Sequence, residues 1–136
     1  MRDVVINKAA SIQRCIERVI EEYEAAGDQF NRDYTRQDAA ILNLTRACEQ
    51  SIDLANHIIK IKKLGVPNRS SDSFEILSDR DIIDPELADK LIKMTGFRNT
   101  AIHQYQKLNL SIVKSIIEKG LQDLIRFTEY MIDLAE

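Results

Sequence analysis

The chain has 136 residues, of which 44% are hydrophobic and 30% are charged, and its formal net charge is −3 at pH 7. This composition excludes a disordered tail protein, and the small negative charge excludes a protein that coats itself in nucleic acid through bulk electrostatics. No apolar run approaches the roughly 18 residues of a membrane-spanning helix, and none has the form of a signal peptide. We therefore expect one cytoplasmic domain over residues 1–136.

The first helix is predicted over residues 3–25, because apolar side chains recur there at spacings of three and four. Gly27 is well placed to end it, since glycine readily adopts the left-handed conformation that follows many helix C-termini. Cys15 on this helix and Cys48 on the next one fall on apolar faces, far apart in the sequence. For both we favour buried thiols over a disulfide or a ligand role.

A second long helix follows a polar connection. Thr35, followed three residues later by Asp38, resembles a capping box and predicts the start of this helix. The helix is expected to continue to about Lys63, where Gly65 stops it. After a loop, residues 73–77 predict a short helical turn.

The second helix carries a polar stripe at helical spacing, distinct from its apolar stripe. The polar stripe consists of Asn43, Arg46, Gln50, Asp53 and His57. Two interpretations stay open at this point. The stripe is either a solvated helix face, or Arg46 and Asp53 border a cleft, where they add a phosphate contact and a carboxylate partner for a cation.

The second half of the chain contains two more long helices. Asp84 followed by Pro85 is a strong helix start, with a side-chain acceptor at the cap and proline at the first position. This helix is predicted to fade near Tyr105, and Asn109 can cap a last helix over residues 110–134. Because no segment has the period of a strand, the predicted fold is all-α, an up-and-down four-helix bundle with an additional short helix.

The third long helix ends in a stretch with unusual chemistry, from Arg98 to Tyr105. Arg98 supplies a permanent cation whose fork of donors matches a phosphate. His103 is suited to proton transfer, since a free imidazole titrates near pH 6.5. Asn99 can hydrogen-bond a phosphate or orient the imidazole. These groups are those needed to hold a phosphodiester and to move a proton.

Helix geometry separates the two main candidates. Arg98 and Tyr105 interrupt an apolar stripe, where a guanidinium is costly unless it is paired or faces a cleft or a partner chain. His103 lies about 140° around a regular helix from Arg98. The two can therefore meet one phosphate only if the arginine reaches around, the helix loosens, or a second subunit completes the site.

The residues Arg98-Asn99-Thr100-Ala101-Ile102-His103 resemble the motif of the HEPN superfamily, whose ribonuclease members carry Arg, a polar residue, a short spacer and His. The Tyr two residues after the His is similar to that of the HepT-type toxins of bacterial toxin–antitoxin pairs. The likeness extends along essentially the whole chain in length and helix order. It implies a HEPN-like bundle and an endoribonuclease that cleaves tRNA or mRNA, and we expect no metal or other cofactor.

The resemblance also implies roles and partners. Arg98 and His103 would be catalytic, and two copies of the motif would face each other across the cleft of a homodimer. In HepT-type toxins the Tyr of this motif is adenylylated by an MntA-type nucleotidyltransferase, the antitoxin. The resemblance therefore implies that Tyr105 is modified in this way, whereas the competing interpretation makes it a core aromatic residue.

Two other functions remain open. The chain could be a non-catalytic accessory subunit that binds a nucleotide for a two-component nucleotidyltransferase, with Arg98 and His103 as ligand contacts. It could also be a helical scaffold without a ligand, but this leaves Arg98 on an apolar stripe unexplained. We rank the ribonuclease toxin first, because a pure binding subunit does not need the full set of Arg, Asn, His and Tyr.

Overall fold

Four long helices and one short helix make up the computed structural model, which describes residues 2–136. The helices are α1 (Arg2–Ala26), α2 (Tyr34–Lys62), α3 (Asp72–Asp79), α4 (Pro85–His103), α5 (Leu110–Ser115) and α6 (Leu121–Ala135). A π-helical segment, Ile116–Gly120, joins α5 to α6, so that the two form the fourth long helix. The predicted all-α fold is confirmed, and the π-helical segment is a feature that the sequence pattern did not indicate.

The core lies between four helices that pack in a ring. α1 packs against α2 and α6, and α4 packs against the same two helices from the other side, while the short α3 rests on α2 and α4. The predicted apolar stripe of α2 is completely buried, and it consists of Ile41, Leu44, Cys48, Ile52, Ala55 and Ile59. Phe74 of α3 meets Phe127 of α6 edge to face, with ring centroids 5.4 Å apart. This packing fixes α2 and α4 side by side.

Local sequence signals explain three of the helix ends. Gly27 has φ +52° and follows the last residue of α1. The Asp84 side chain accepts a hydrogen bond from the Leu87 amide at the start of α4, and the Asn109 side chain does the same for Ser111 in α5. These three predictions are confirmed, since each residue adopts the geometry that caps or ends a helix.

The capping box predicted at the start of α2 is wrong. α2 begins at Tyr34 and is capped by Asp33, whose side chain accepts from the Arg36 amide, so Thr35 and Asp38 form no capping box. Asp38 is one turn inside the helix and is free to contact another helix. α4 ends at His103, and Tyr105 begins a separate 3₁₀ turn. The chain therefore turns between the histidine and the tyrosine of the motif.

The two cysteines are free thiols, as expected. Cys48 is buried, and this burial raises the pKa of its thiol to about 12, whereas Cys15 is only half-buried. None of the helices in residues 2–136 has the length and apolar character needed to cross a membrane.

Candidate functional site

A cleft of about 500 Å³ lies between α2 and the C-terminal end of α4. One wall comes from residues of α2 at helical spacing, namely Asp38, Ile41, Leu42, Thr45, Arg46 and Glu49. The opposite wall comes from Ala101, Ile102 and Tyr105. Apolar side chains and charged groups of both signs thus line one open space. Such a lining suits a ligand with a flat apolar part and an anionic part, as in a nucleotide.

Arg98 lies next to this cleft, and its side chain is 25% exposed. Its Nη1 donates a 2.8 Å hydrogen bond to Oδ1 of Asn99, and its Nε lies 3.6 Å from Oε1 of Glu49. The second distance allows an ion pair but exceeds that of a hydrogen bond. Within residues 2–136, Nε is buried without a hydrogen-bond partner. The guanidinium is therefore held from two sides and keeps donors that no protein group uses.

His103 is the last residue of α4, and it is exposed to solvent. Gln104, with φ −144°, interrupts the helix immediately after it. His103 does not line the cleft, and no hydrogen bond or ion pair within the described residues joins it to Arg98. Since α4 is a regular helix up to His103, the separation of about 140° around the axis persists. A single chain therefore does not bring the two residues together through direct contacts.

Tyr105 closes the other end of the cleft. Its hydroxyl donates a hydrogen bond to Oδ1 of Asp38 on α2. The pKa of the Tyr105 hydroxyl is raised to about 12, chiefly by burial and then by the hydrogen bond to the Asp38 carboxylate and the negative charge of that carboxylate. The residue is nevertheless 44% exposed, so it is not the core aromatic residue of the competing interpretation. Part of the Tyr105 side chain therefore faces solvent.

The remaining predicted site residues have different positions. Arg46 lines the cleft and is exposed, and Asn99 contacts Arg98. Asp53 does not line the cleft. Its carboxylate lies 3.8 Å from the Lys8 ammonium on α1, so the interpretation in which Asp53 borders the cleft together with Arg46 is corrected. Seven residues separate the two along α2, and Asp53 is thus two turns away, beyond the end of the cleft.

Sequence reasoning missed two carboxylates of this site. Glu49 holds Arg98, and Asp38 holds Tyr105. Both contacts join α2 to the C-terminal part of α4 or to the turn that follows it. Because the two segments are antiparallel, the later residue, Tyr105, meets the earlier carboxylate, Asp38. One sequence signal for these two carboxylates is their helical spacing from Arg46. Glu49 lies three residues after Arg46, and Asp38 lies eight residues before it.

Comparison with known proteins identifies close relatives. The family described as "Ribonuclease HepT-like" matches residues 12–131. The mRNA nuclease HepT of Shewanella oneidensis is 47% identical over 129 residues, which cover 95% of this chain and 96% of the relative. The solved structure of the tri-AMPylated Shewanella oneidensis HEPN toxin in complex with MNT antitoxin superposes with a TM-score of 0.91, at 46% identity, over 96% of this chain and 98% of that one.

A second solved structure contains a nucleotide analogue. It is a toxin–antitoxin complex with AMP-PNP, and it matches with a TM-score of 0.90 at 46% identity, over 95% of this chain and 97% of that one. The similarity thus covers nearly the whole length of each chain, and it includes every helix that builds the cleft.

Proposed function

Because the chain belongs to the HepT-like ribonuclease family, we propose that it is a metal-independent endoribonuclease and the toxin of a toxin–antitoxin pair. It cleaves cellular RNA, either mRNA or tRNA, in the cytoplasm. A nucleotidyltransferase antitoxin of the MNT type neutralises it by AMPylation of Tyr105. The names of its relatives support the activity and the antitoxin, and the cleft beside Arg98 supports the site.

The observation that carries the proposal is the state of Arg98. A partly buried guanidinium with unused donors, held by Glu49 and Asn99, is prepared to receive an anion. In the proposed reaction it binds the scissile phosphate and stabilises the negative charge that builds up on the phosphate in the transition state. Asn99 orients the guanidinium from its exposed side, and Arg46 contacts a neighbouring phosphate of the RNA.

His103 moves the protons in this proposal. The ribose 2′-hydroxyl attacks the adjacent phosphorus, and the bond from phosphorus to the 5′-oxygen of the next nucleotide breaks. An imidazole can remove the proton from the attacking hydroxyl or deliver one to the leaving oxygen. The predicted products are therefore a 2′,3′-cyclic phosphate and a 5′-hydroxyl.

The proposal includes a homodimer, because one chain does not join Arg98 to His103 through direct contacts. Leu42 and Ile102 both line the cleft and are 49% and 44% exposed. Ile102 is also the neighbour of His103 in the chain. A two-fold contact over this apolar surface brings the ends of two α4 helices together, so that each His103 can serve the cleft of its partner.

AMPylation of Tyr105 explains the neutralisation by charge and volume. The hydroxyl lies in the same cleft as Arg46, and Arg98 borders that cleft through its ion pair with Glu49. An attached AMP places a bulky anion where an RNA phosphate must bind. RNA is then excluded both by steric overlap and by repulsion between the two anions.

The chemistry of the product ends tests this proposal. The unmodified protein is incubated with a defined RNA in excess EDTA, and the fragments are weighed by mass spectrometry. We expect 2′,3′-cyclic phosphate and 5′-hydroxyl ends. Fragments with 5′-phosphate ends would mean that water, and not the 2′-hydroxyl, attacks the phosphorus. That result would remove the role assigned to His103 in proton transfer from the 2′-hydroxyl.

A further inference from the structure

The hydrogen bond from Tyr105 to Asp38 has no part in the ribonuclease chemistry proposed above. It is the one hydrogen bond of the Asp38 carboxylate within residues 2–136, and it joins residues 67 positions apart in the sequence. Both residues are exposed at the mouth of the cleft. The Asp38 carboxylate is thus in direct contact with the hydroxyl that is proposed to be modified, where it can accept the proton of that hydroxyl.

Building on the proposed function, we infer that Asp38 is the general base for AMP transfer to Tyr105. The toxin thus contributes a catalytic residue to its own neutralisation. The Asp38 carboxylate fixes the position of the Tyr105 oxygen before the reaction and takes its proton during the reaction. Asp38 belongs to this chain, whereas the antitoxin binds the nucleotide.

AMP transfer to Tyr105 forms one bond to phosphorus and breaks another. A lone pair of the Tyr105 oxygen attacks the α-phosphorus of ATP, and a bond between oxygen and phosphorus forms. The bond from this phosphorus to the bridging oxygen of the β-phosphate breaks, and pyrophosphate leaves with that electron pair. The phenolic proton passes to Oδ1 of Asp38 and from there to water. No oxidant or reductant takes part.

The acidity of the phenol explains why a base is needed. The pKa of the Tyr105 hydroxyl is raised to about 12, chiefly by burial and then by its contact with Asp38, so that the phenolate is scarce at neutral pH. A neutral phenol is a weak nucleophile unless its proton leaves as the new bond forms. Protein kinases solve the same problem with an aspartate that accepts the proton of the substrate hydroxyl.

AMP transfer also changes the contact between Tyr105 and Asp38 from attractive to repulsive. After the reaction the Tyr105 oxygen carries no proton and cannot donate to Asp38, and the attached phosphodiester is an anion. Asp38 then repels the modified side chain, whereas Arg46 on the same wall of the cleft attracts it. The AMP group is thus directed along the cleft, toward the place of the RNA phosphate.

The substitution Asp38→Asn tests the inference, because the amide oxygen still accepts a hydrogen bond while the basic carboxylate is lost. The full-length protein is mixed with its cognate nucleotidyltransferase and ATP, and AMP incorporation is followed by intact mass. We expect the initial rate near pH 7.5 to fall by about 100-fold, with little change in KM for the toxin. The matched control is Asp89→Asn, which removes an exposed carboxylate paired with Lys93 on α4 and should leave the rate unchanged.

A pH series separates proton transfer from a structural effect. With Asp38→Asn, phenolate must form by loss of the proton to water, so the rate should rise about tenfold per pH unit between pH 8 and pH 10. The wild-type rate should change little over this range. The charged groups that line the cleft with Tyr105 are Asp38, Arg46 and Glu49. An absorbance titration should also show a lower pKa for Tyr105 in the variant, with Tyr105→Phe as the subtracted reference.

The outcomes distinguish this inference from the proposed function. If Tyr105→Phe prevents AMP incorporation but Asp38→Asn is modified at the wild-type rate or faster, the role of Asp38 is refuted and Tyr105 remains the modification site. If Tyr105→Phe is modified as readily as the wild type, the assignment of Tyr105 itself fails. A uniform loss of rate at every pH would reduce Asp38 to a structural contact and would also overturn the inference.

Discussion

The guanidinium of Arg98 and the carboxylate of Glu49 form an ion pair between α4 and α2, with Nε of the first 3.6 Å from Oε1 of the second. Glu49 itself lines the cleft, so the pair joins the arginine of the motif to the wall of the proposed RNA site. The contact explains how a cation can interrupt an apolar helix stripe, since the partner offsets part of the cost of its burial.

Glu49→Gln should lower kcat for RNA cleavage by at least about tenfold, because Arg98 loses the partner that orients it. KM for RNA should stay constant or fall, since a carboxylate near the RNA phosphates is removed. Steady-state cleavage of a labelled RNA measures both constants. Glu129→Gln, an exposed position on α6, is the control. A raised KM with an unchanged kcat would show that Glu49 does not position Arg98.

Arg98→Ala should reduce kcat/KM for RNA cleavage by about 1,000-fold, through loss of the contact to the transition-state charge. Arg98→Lys should have a kcat/KM only slightly higher than that of Arg98→Ala, since an ammonium cannot make two parallel hydrogen bonds to one phosphate. Arg69→Ala, in the exposed loop after α2, should behave like the wild type. The assay is the same steady-state cleavage of a labelled RNA. Full activity of the lysine variant would refute the bidentate contact of Arg98 with the phosphate.

Ile102→Glu should convert the protein from a dimer to a monomer, because it places a charge on the apolar surface proposed as the interface. Light scattering should give a mass of two chains for the wild type and of one chain for the variant. Val66→Glu changes a side chain that is 82% exposed and lies outside this surface, and it should leave the dimer intact. A wild-type mass of one chain would contradict the homodimer.

Glu22 should make stability depend on pH in the acid range. Its buried carboxylate accepts hydrogen bonds from Arg18 at 2.6 Å and Arg36 at 3.0 Å, and the bond from Arg18 is the main cause that lowers the pKa of Glu22 below the ordinary 4.5. Because the folded-state pKa is lowered, these contacts stabilise the fold above the unfolded pKa. This contribution is lost as the pH falls through the folded-state value.

Urea unfolding of the wild type and of Glu22→Gln measures this effect. The wild type should lose stability between neutral pH and the region below 4.5, whereas the variant should start less stable at pH 7 and lose less over the same range. If the free energy of unfolding depends on pH in the same way for both proteins, the Glu22 carboxylate does not contribute to the pH dependence of stability.

The helices were predictable because their signals are local. A capping aspartate such as Asp84 needs only the amide three residues later, and the apolar stripe of α2 follows from spacing alone. The start of α2 was misplaced because Asp33 competes with Thr35 for the capping role, and either residue type can fill it. The π-helical segment before α6 was not predictable, because Ile116–Gly120 has the composition of ordinary helix.

The site was predictable only where the motif lies in one segment. Arg98, Asn99, His103 and Tyr105 were recognised together because they fall within eight positions of the chain. The partners of Arg98 and Tyr105 lie on α2, 49 and 67 residues earlier, and only tertiary packing selects them. For the same reason the place of Asp53 could not be predicted, since its partner Lys8 lies on a third helix.

The most direct test of the account is the cleavage of RNA by the wild type and by His103→Ala, each incubated with tRNA and with mRNA in excess EDTA. Intact mass must first show that Tyr105 is unmodified in both proteins. We expect cleavage by the wild type and none by the variant, since no other group within the motif replaces the imidazole in proton transfer. Absence of cleavage by both would contradict it and would favour a nucleotide-binding accessory subunit, and equal cleavage by both would exclude His103 from the chemistry.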